Sequence, residues 1–149
     1  AVGSYHFFST RTSGAQQAAY FLKMALIAPT DLPPVLDLEP TDKQIRDMGG
    51  DEALFRQVIA WLRIVEQRRG KKPILYVGQL FVNNHLKHAP AALRGYDVWI
   101  ARYGEFKPYV RLLHWQLTPY GRVRGIHGEV DVNVYNGSKE EFLNYCKGH

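Results

Sequence analysis

The sequence predicts an α/β fold: a modified (β/α) TIM-like barrel, incomplete, with antiparallel C-terminal strands. Three observations carry this. Strand-like and helix-like segments alternate up to residue 102, which implies a mainly parallel sheet. Two strand-like segments then follow one another across a glycine-rich connection with no helix between them, an antiparallel pattern. The chain has 149 residues, whereas a closed eight-fold barrel takes about 250, or about 200 at the low end. It also opens inside a strand-like segment.

The elements follow in order. Residues 2–8 are aromatic and strand-like. Ser13 is placed to cap a helix running to Ile27, with Ala15, Ala18, Ala19, Leu22 and Leu26 on one face. Pro29, Pro33 and Pro34 end it. Residues 35–39 form the next strand, closed by Pro40. Asp51 caps a long helix in which Leu54, Val58, Trp61, Leu62 and Val65 recur at helical spacing, and Gly70 terminates it. Strands over 74–77 and 98–102 flank a short helical segment at 81–86. Strands over 112–117 and 129–135 enclose Gly121, Gly125 and Gly128. A last helix opens at Ser138, with Glu141 at capping-box spacing, and runs to Gly148.

Composition narrows the class. With 46% hydrophobic and 13% aromatic residues the chain is globular, not disordered. One cysteine, Cys146, leaves no internal disulfide. No run approaches the ~20 apolar residues of a membrane span, and no signal peptide is seen. A net charge of +5 favours anionic partners, of which nucleic acid and an anionic cell wall are two. Arg68, Arg69, Lys71 and Lys72 cluster where a helix ends, where cations complement the helix dipole.

The most informative segment is Pro34-Val35-Leu36-Asp37-Leu38-Glu39-Pro40. In a strand, alternate side chains share a face, so Leu36 and Leu38 point one way and Val35, Asp37 and Glu39 the other. The two carboxylates stand about 6–7 Å apart at their α-carbons, at a strand C-terminal end, where barrel active sites form. Adjacent carboxylates resist ionising together, so one pKa rises, as a general acid requires. Glycoside hydrolysis needs such an acid, and the longer Glu39 suits that role with Asp37 assisting. The same pattern suits a solvated pair at a strand end.

These residues resemble glycoside hydrolase family 25, the muramidases. The likeness runs through Gly3-Ser4-Tyr5-His6-Phe7-Phe8, the acidic strand, Pro73-Ile74-Leu75-Tyr76, Trp99-Ile100-Ala101-Arg102-Tyr103, Trp115-Gln116, Gly125-Ile126, Gly128 and Val130-Asp131-Val132-Asn133. It implies one glycoside hydrolase catalytic domain over residues 1–149. The implied reaction is hydrolysis of the β-1,4 bond between N-acetylmuramic acid and N-acetylglucosamine in peptidoglycan. Glu39 is then the general acid/base, Asp37 assists by orienting the N-acetyl group, Asp131 joins the catalytic set, and Tyr5 and Tyr76 line the groove. No metal or cofactor is implied, and the site of action is extracellular or the cell envelope. Family members begin with a strand bearing an Asp-x-Ser-type motif. Nothing here matches it, because the likeness starts at the third strand, so the domain is expected to be N-terminally truncated.

Other residues admit two readings. Trp115 can stack on a sugar ring or fill the core; Trp99 and Trp61 read as core. His85 and His88 share a spacing but lack further metal ligands, and His6 faces the helices. A non-catalytic glycan-binding module is the main alternative, a chitinase-like glycosidase another. Charge alone supports nucleic-acid binding, and no motif does. An unpaired first strand exposes an edge suited to self-association.

Overall fold

The computed structural model describes residues 2–101 and 112–147. Six strands form one sheet in chain order: β1 (Tyr5–Phe7), β2 (Val35–Leu38), β3 (Ile74–Gly78), β4 (Asp97–Ala101), β5 (Leu112–Gly121) and β6 (Val130–Tyr135). Strands β1 to β5 run parallel, and β6 returns antiparallel to β5. The sheet curls as half a barrel, so the expected incomplete barrel with antiparallel C-terminal strands is what forms. Arg102 and Tyr103 lie outside the described residues.

The core sits on the convex side of the sheet. Leu36 and Leu38 of β2, Leu75 and Val77 of β3, and Val98 and Ile100 of β4 all point there and are buried. They meet α1 (Gly14–Met24) and α3 (Gly50–Arg69). The helical stripe Leu54, Val58, Trp61, Leu62 and Val65 is fully buried, as its spacing predicts. Each such side chain contributes about 1.5–3 kcal/mol by leaving water, so this side of the sheet holds β2 and β3 in place.

Helix α1 differs from expectation. Ser13 does cap it, accepting from the Gln16 amide at 3.2 Å while Gln16 reaches back to the Ser13 amide. The helix ends at Met24, leaving Leu26 fully exposed. Its buried residues are Gly14, Gln17, Ala18 and Phe21; of the expected stripe Ala18 is buried and Leu22 packs against the core, whereas Ala15, Ala19 and Leu26 are exposed. The reason is close approach to α3: a β-carbon on Gly14 would lie 1.9 Å from the Gln57 carbonyl oxygen. The glycine side therefore turns inward, bringing Phe21 to 5.2 Å from Trp61, ring to ring. Gln17 is satisfied throughout. Its amide nitrogen donates to the Ser9 and Thr12 carbonyls, and its oxygen accepts from Ser9 N and from His6 Nε2. His6 stacks on Trp61, on the helix side as expected.

Helix α2 (Asp42–Asp47) was not anticipated, although Thr41 and Gln44 form a capping box. Gly49, with φ of 107°, takes the N-cap of α3 in place of Asp51. Asp51 lies in the first turn and bonds His85 Nδ1 at 2.7 Å, while Asp42 meets His85 Nε2 at 3.3 Å. His85 thereby ties the end of α4 (Gln79–Asn84) to α2 and α3. A single 3-10 turn and the short α5 (Ala91–Arg94) lead into β4.

The basic cluster is largely structural. Arg69 donates to the Leu22 and Ala25 carbonyls at the open end of α1, and Lys71 to the carbonyls of Pro29 and Asp31. Lys72 lies over the Tyr96 ring. Among the described residues no helix is long and apolar enough to cross a membrane.

The last helix, α6 (Lys139–Lys147), is capped by Ser138 and Glu141 as expected. It packs on the concave side, with Tyr145 against His114 and Phe142 against Tyr135. Val35 and Ile74 are buried on this side, apart from the helix-side core.

Candidate active site

Strand alternation sorts the concave face into rows. The pairing register aligns Tyr5 with Val35 and Ile74, then Phe7 with Asp37, Tyr76, Trp99 and His114. Gln116 aligns with Ala101 and Asn133 in the next row. The row of Asp37 and Tyr76 lies toward the strands' C-terminal ends, and Glu39 follows one residue past β2.

Asp37 and Glu39 project to the same side because Leu36 and Leu38 are locked into the core. Glu39 is exposed, while Asp37 is half-buried. The Asp37 Oδ1 atom is buried and has no hydrogen-bond partner among the described residues. Burial, and then the neighbouring Glu39 charge, push the Asp37 carboxyl up to about 6. A raised carboxyl was expected on the general acid, assigned to Glu39; the rise lies on Asp37 instead. The reason is geometric: Asp37 sits inside the strand row, whereas Glu39 stands beyond the strand end in solvent.

Tyr76 stands beside Asp37 and donates its hydroxyl proton to Gln116 Oε1 at 2.6 Å. Trp99 lies edge-on to the Tyr76 ring at 5.3 Å and donates its indole N–H to Asn133 Oδ1 at 2.9 Å. Tyr5 is 68% exposed on the open β1 side. Asp131 is exposed on β6, on the face that Asn133 shares by alternation. Below the acidic row lies a cavity of about 210 Å³, whose lining includes Tyr5, Val35, Ile74, Trp99, His114 and Tyr145. Burial lowers the His114 pKa, against an opposing pull from Asp97.

Of the two strand tryptophans, Trp115 takes the core side of its two readings, and Trp99 departs from its reading as core. Trp115 pairs with Ile100, which is fully buried, and packs against the helix-side core, so it faces away from the groove. Trp99, read as core, stands on the concave face. Gln116 is the polar residue that sequence reasoning passed over. Parity held the signal: Gln116 shares a face with His114, and Trp115 the opposite one. No group of three or more His, Cys, Asp or Glu side chains able to hold a metal ion occurs among the described residues.

Comparison with known proteins agrees with this geometry. The chain is 37% identical to the YegX protein of Escherichia coli O6:H1 (strain CFT073), over 98% of its own length and 52% of the relative's. It thus spans about half the length of the curated relatives it matches. A family 25 glycosyl hydrolase from Bacillus anthracis superposes with a TM-score of 0.78 at 31% identity, over 95% of this chain and 66% of that one. A bacterial lysozyme from Streptomyces coelicolor gives 0.80 at 25% identity, over 97% and 71%. Residues 1–126 match the sequence model of glycosyl hydrolases family 25, and the chain belongs to that family.

Proposed function

We propose that this chain is the glycoside hydrolase domain of a muramidase, acting on the β-1,4 bond between N-acetylmuramic acid and N-acetylglucosamine in peptidoglycan, with Glu39 as general acid. The observation that carries it is the Asp37–Glu39 pair on the concave face of a family 25 half-barrel, one carboxyl buried and raised and the other open to the cleft. Glu39 gives a proton to the leaving glycosidic oxygen as the C1–O bond breaks. Its carboxylate then takes a proton from the water that completes hydrolysis. Asp37, as a carboxylate, accepts a hydrogen bond from the N–H of the substrate's acetamido group. Tyr76, Trp99 and Tyr5 offer ring surfaces to the saccharide, and Asp131 faces the groove from β6. The partner is peptidoglycan at the cell envelope or outside the cell, not nucleic acid.

The test is turbidity loss of purified cell walls, with the new reducing ends identified after borohydride reduction. Clearing that exposes muramic acid ends supports the reading. Glu39→Gln is expected to lose at least about 100-fold in rate with an unchanged circular dichroism spectrum. Full activity in that variant removes Glu39 from the chemistry.

One feature favours a second reading, a glycan-binding module without hydrolysis. Among the described residues β1 pairs with a strand on one side, and Phe7 and Tyr5 are exposed on that strand. Wall binding without clearing supports that reading. The same open edge suits pairing with a second copy of the chain, which sedimentation would register as a dimer.

A further inference from the structure

The Trp99 indole reaches across the sheet. Its N–H donates to Asn133 Oδ1 at 2.9 Å, and Asn133 stands on β6, two strands from β4. Neighbouring strands lie about 4.7–4.9 Å apart, so the bond bridges β5, and the indole leans over that strand rather than standing straight out from its own. The contact with His114 on β5, 5.6 Å between ring centroids, agrees with this. Packing does not lock the ring there. Tyr76 meets it edge-on and His114 lies tilted by 47°, so neither stacks flat against it. Trp99 also lines the cavity of about 210 Å³ below the acidic row. A side chain bordering a void lacks partner atoms on that side and has room to change rotamer. An indole has one polar hydrogen and accepts none, so the acceptor that takes it decides where the ring points. That acceptor is Asn133, itself exposed on the strand it shares with Asp131. Trp99 stands in the register row of Asp37, two strands along, a separation that a disaccharide spans.

We propose that Asn133 is a positioning residue for saccharide binding: by accepting the Trp99 indole proton it holds that ring as a platform on which the apolar C–H face of an N-acetylhexosamine stacks beside the acidic pair. The saccharide rests on the muramidase reading; the tether between the two side chains does not.

The test pairs calorimetric titration of the full chain with chitooligosaccharide and NMR of its indole N–H signals, the Trp99 signal being identified with Trp99→Phe. In Asn133→Leu the side chain keeps its size and loses the acceptor. The Trp99 proton signal then shifts and exchanges faster with water, and affinity for the saccharide falls about fivefold. In Trp99→Phe the ring has no N–H to hold, so adding Asn133→Leu lowers the affinity no further. A folded Asn133→Leu with the parent's affinity overturns the proposal. So does a variant that loses as much again on the Trp99→Phe background, which would mean that Asn133 touches the sugar itself. The parent alone also decides the matter, whether or not a variant folds: its Trp99 signal is expected to move as saccharide saturates the chain, and saturation with that signal unmoved removes the platform while leaving the glycan reading standing. A parent that binds no chitooligosaccharide sinks the glycan reading and the platform together.

Discussion

Replacing Asp37 by asparagine should stabilise this protein, and only above a defined pH. The Asp37 carboxyl is raised from an ordinary 3.8 to about 6, first by burial and then by Glu39. A raised carboxyl means that the fold disfavours its charge. Below pH 3.8 the group is neutral folded and unfolded, and costs nothing. Above pH 6 it is ionised in both states, and the full penalty applies. Each tenfold change in proton affinity is worth about 1.4 kcal/mol, which puts the ceiling near 3 kcal/mol. Asp37 is only half-buried, so solvent screening roughly halves that, to about 1–2 kcal/mol. For a domain of this size, that is a melting-temperature gain of about 3–6 °C. Thermal melts of the parent and Asp37→Asn at pH 3.5, 5, 6 and 8 measure the difference between them, which cancels the pH response of groups not coupled to Asp37. The difference should be near zero at pH 3.5, open between 3.8 and 6, and level off above. A difference that does not vary with pH would refute the argument that Asp37 is desolvated.

Further outcomes follow from the same geometry. If ionised Asp37 orients the substrate, wall hydrolysis falls on the acid side of about pH 6, and Asp37→Asn removes that limb along with most of the rate; a limb unmoved in the variant belongs to another group. Trp99→Ala should weaken chitooligosaccharide binding by about 1 kcal/mol or more with little change in melting temperature. Trp115→Ala, on the core side, should do the reverse, losing about 3 kcal/mol of stability. Calorimetric titration and thermal melts of the two variants separate these outcomes. Gly14→Ala drives a methyl group onto the Gln57 carbonyl and should cost about 3 kcal/mol, readable as a lowered urea midpoint.

Much of this architecture was legible because apolar spacing is a direct consequence of burial. The α3 stripe, the Gly70 stop and the Ser13 and Ser138 caps each rest on one local rule, and each appears as read. The acidic strand was legible for the same reason: Leu36 and Leu38 demand the core, so Asp37 and Glu39 must face away from it. Misreadings arose where a long-range contact outranked local pattern. The roll of α1 is decided by the approach of Gly14 to a helix 43 residues further on, which no helical wheel contains. Trp115 and Gln116 show a different failure. Trp115 suited either a sugar ring or the core and Gln116 was assigned no role, but strand parity sends the tryptophan to the core side and the glutamine toward the groove. The pairing of Ile100 with Trp115 settles which rule wins, because Ile100 has no freedom to leave the core.

The acidic pair does not depend on a closed barrel for its orientation. β2 is gripped from the convex side, where Leu36 and Leu38 are fully buried against α1 and α3, and from both edges by β1 and β3. These contacts fix the direction of Asp37 and Glu39 whatever lies across the concavity. What a facing wall would change is solvation. Asp37 already feels burial although Phe7, in the adjacent register position of β1, is 59% exposed. Anything that covers Phe7, whether a further strand or the saccharide itself, removes more water from the same carboxyl and raises its proton affinity again. Occupancy of the groove and protonation of Asp37 are therefore linked: a ligand that seats against β1 takes up protons on binding near pH 6 unless it donates a hydrogen bond to the Asp37 carboxylate, in which case it releases them. Calorimetry of chitooligosaccharide binding in buffers of different ionisation enthalpy reads the sign directly, and proton release is the result that the orienting role of Asp37 requires.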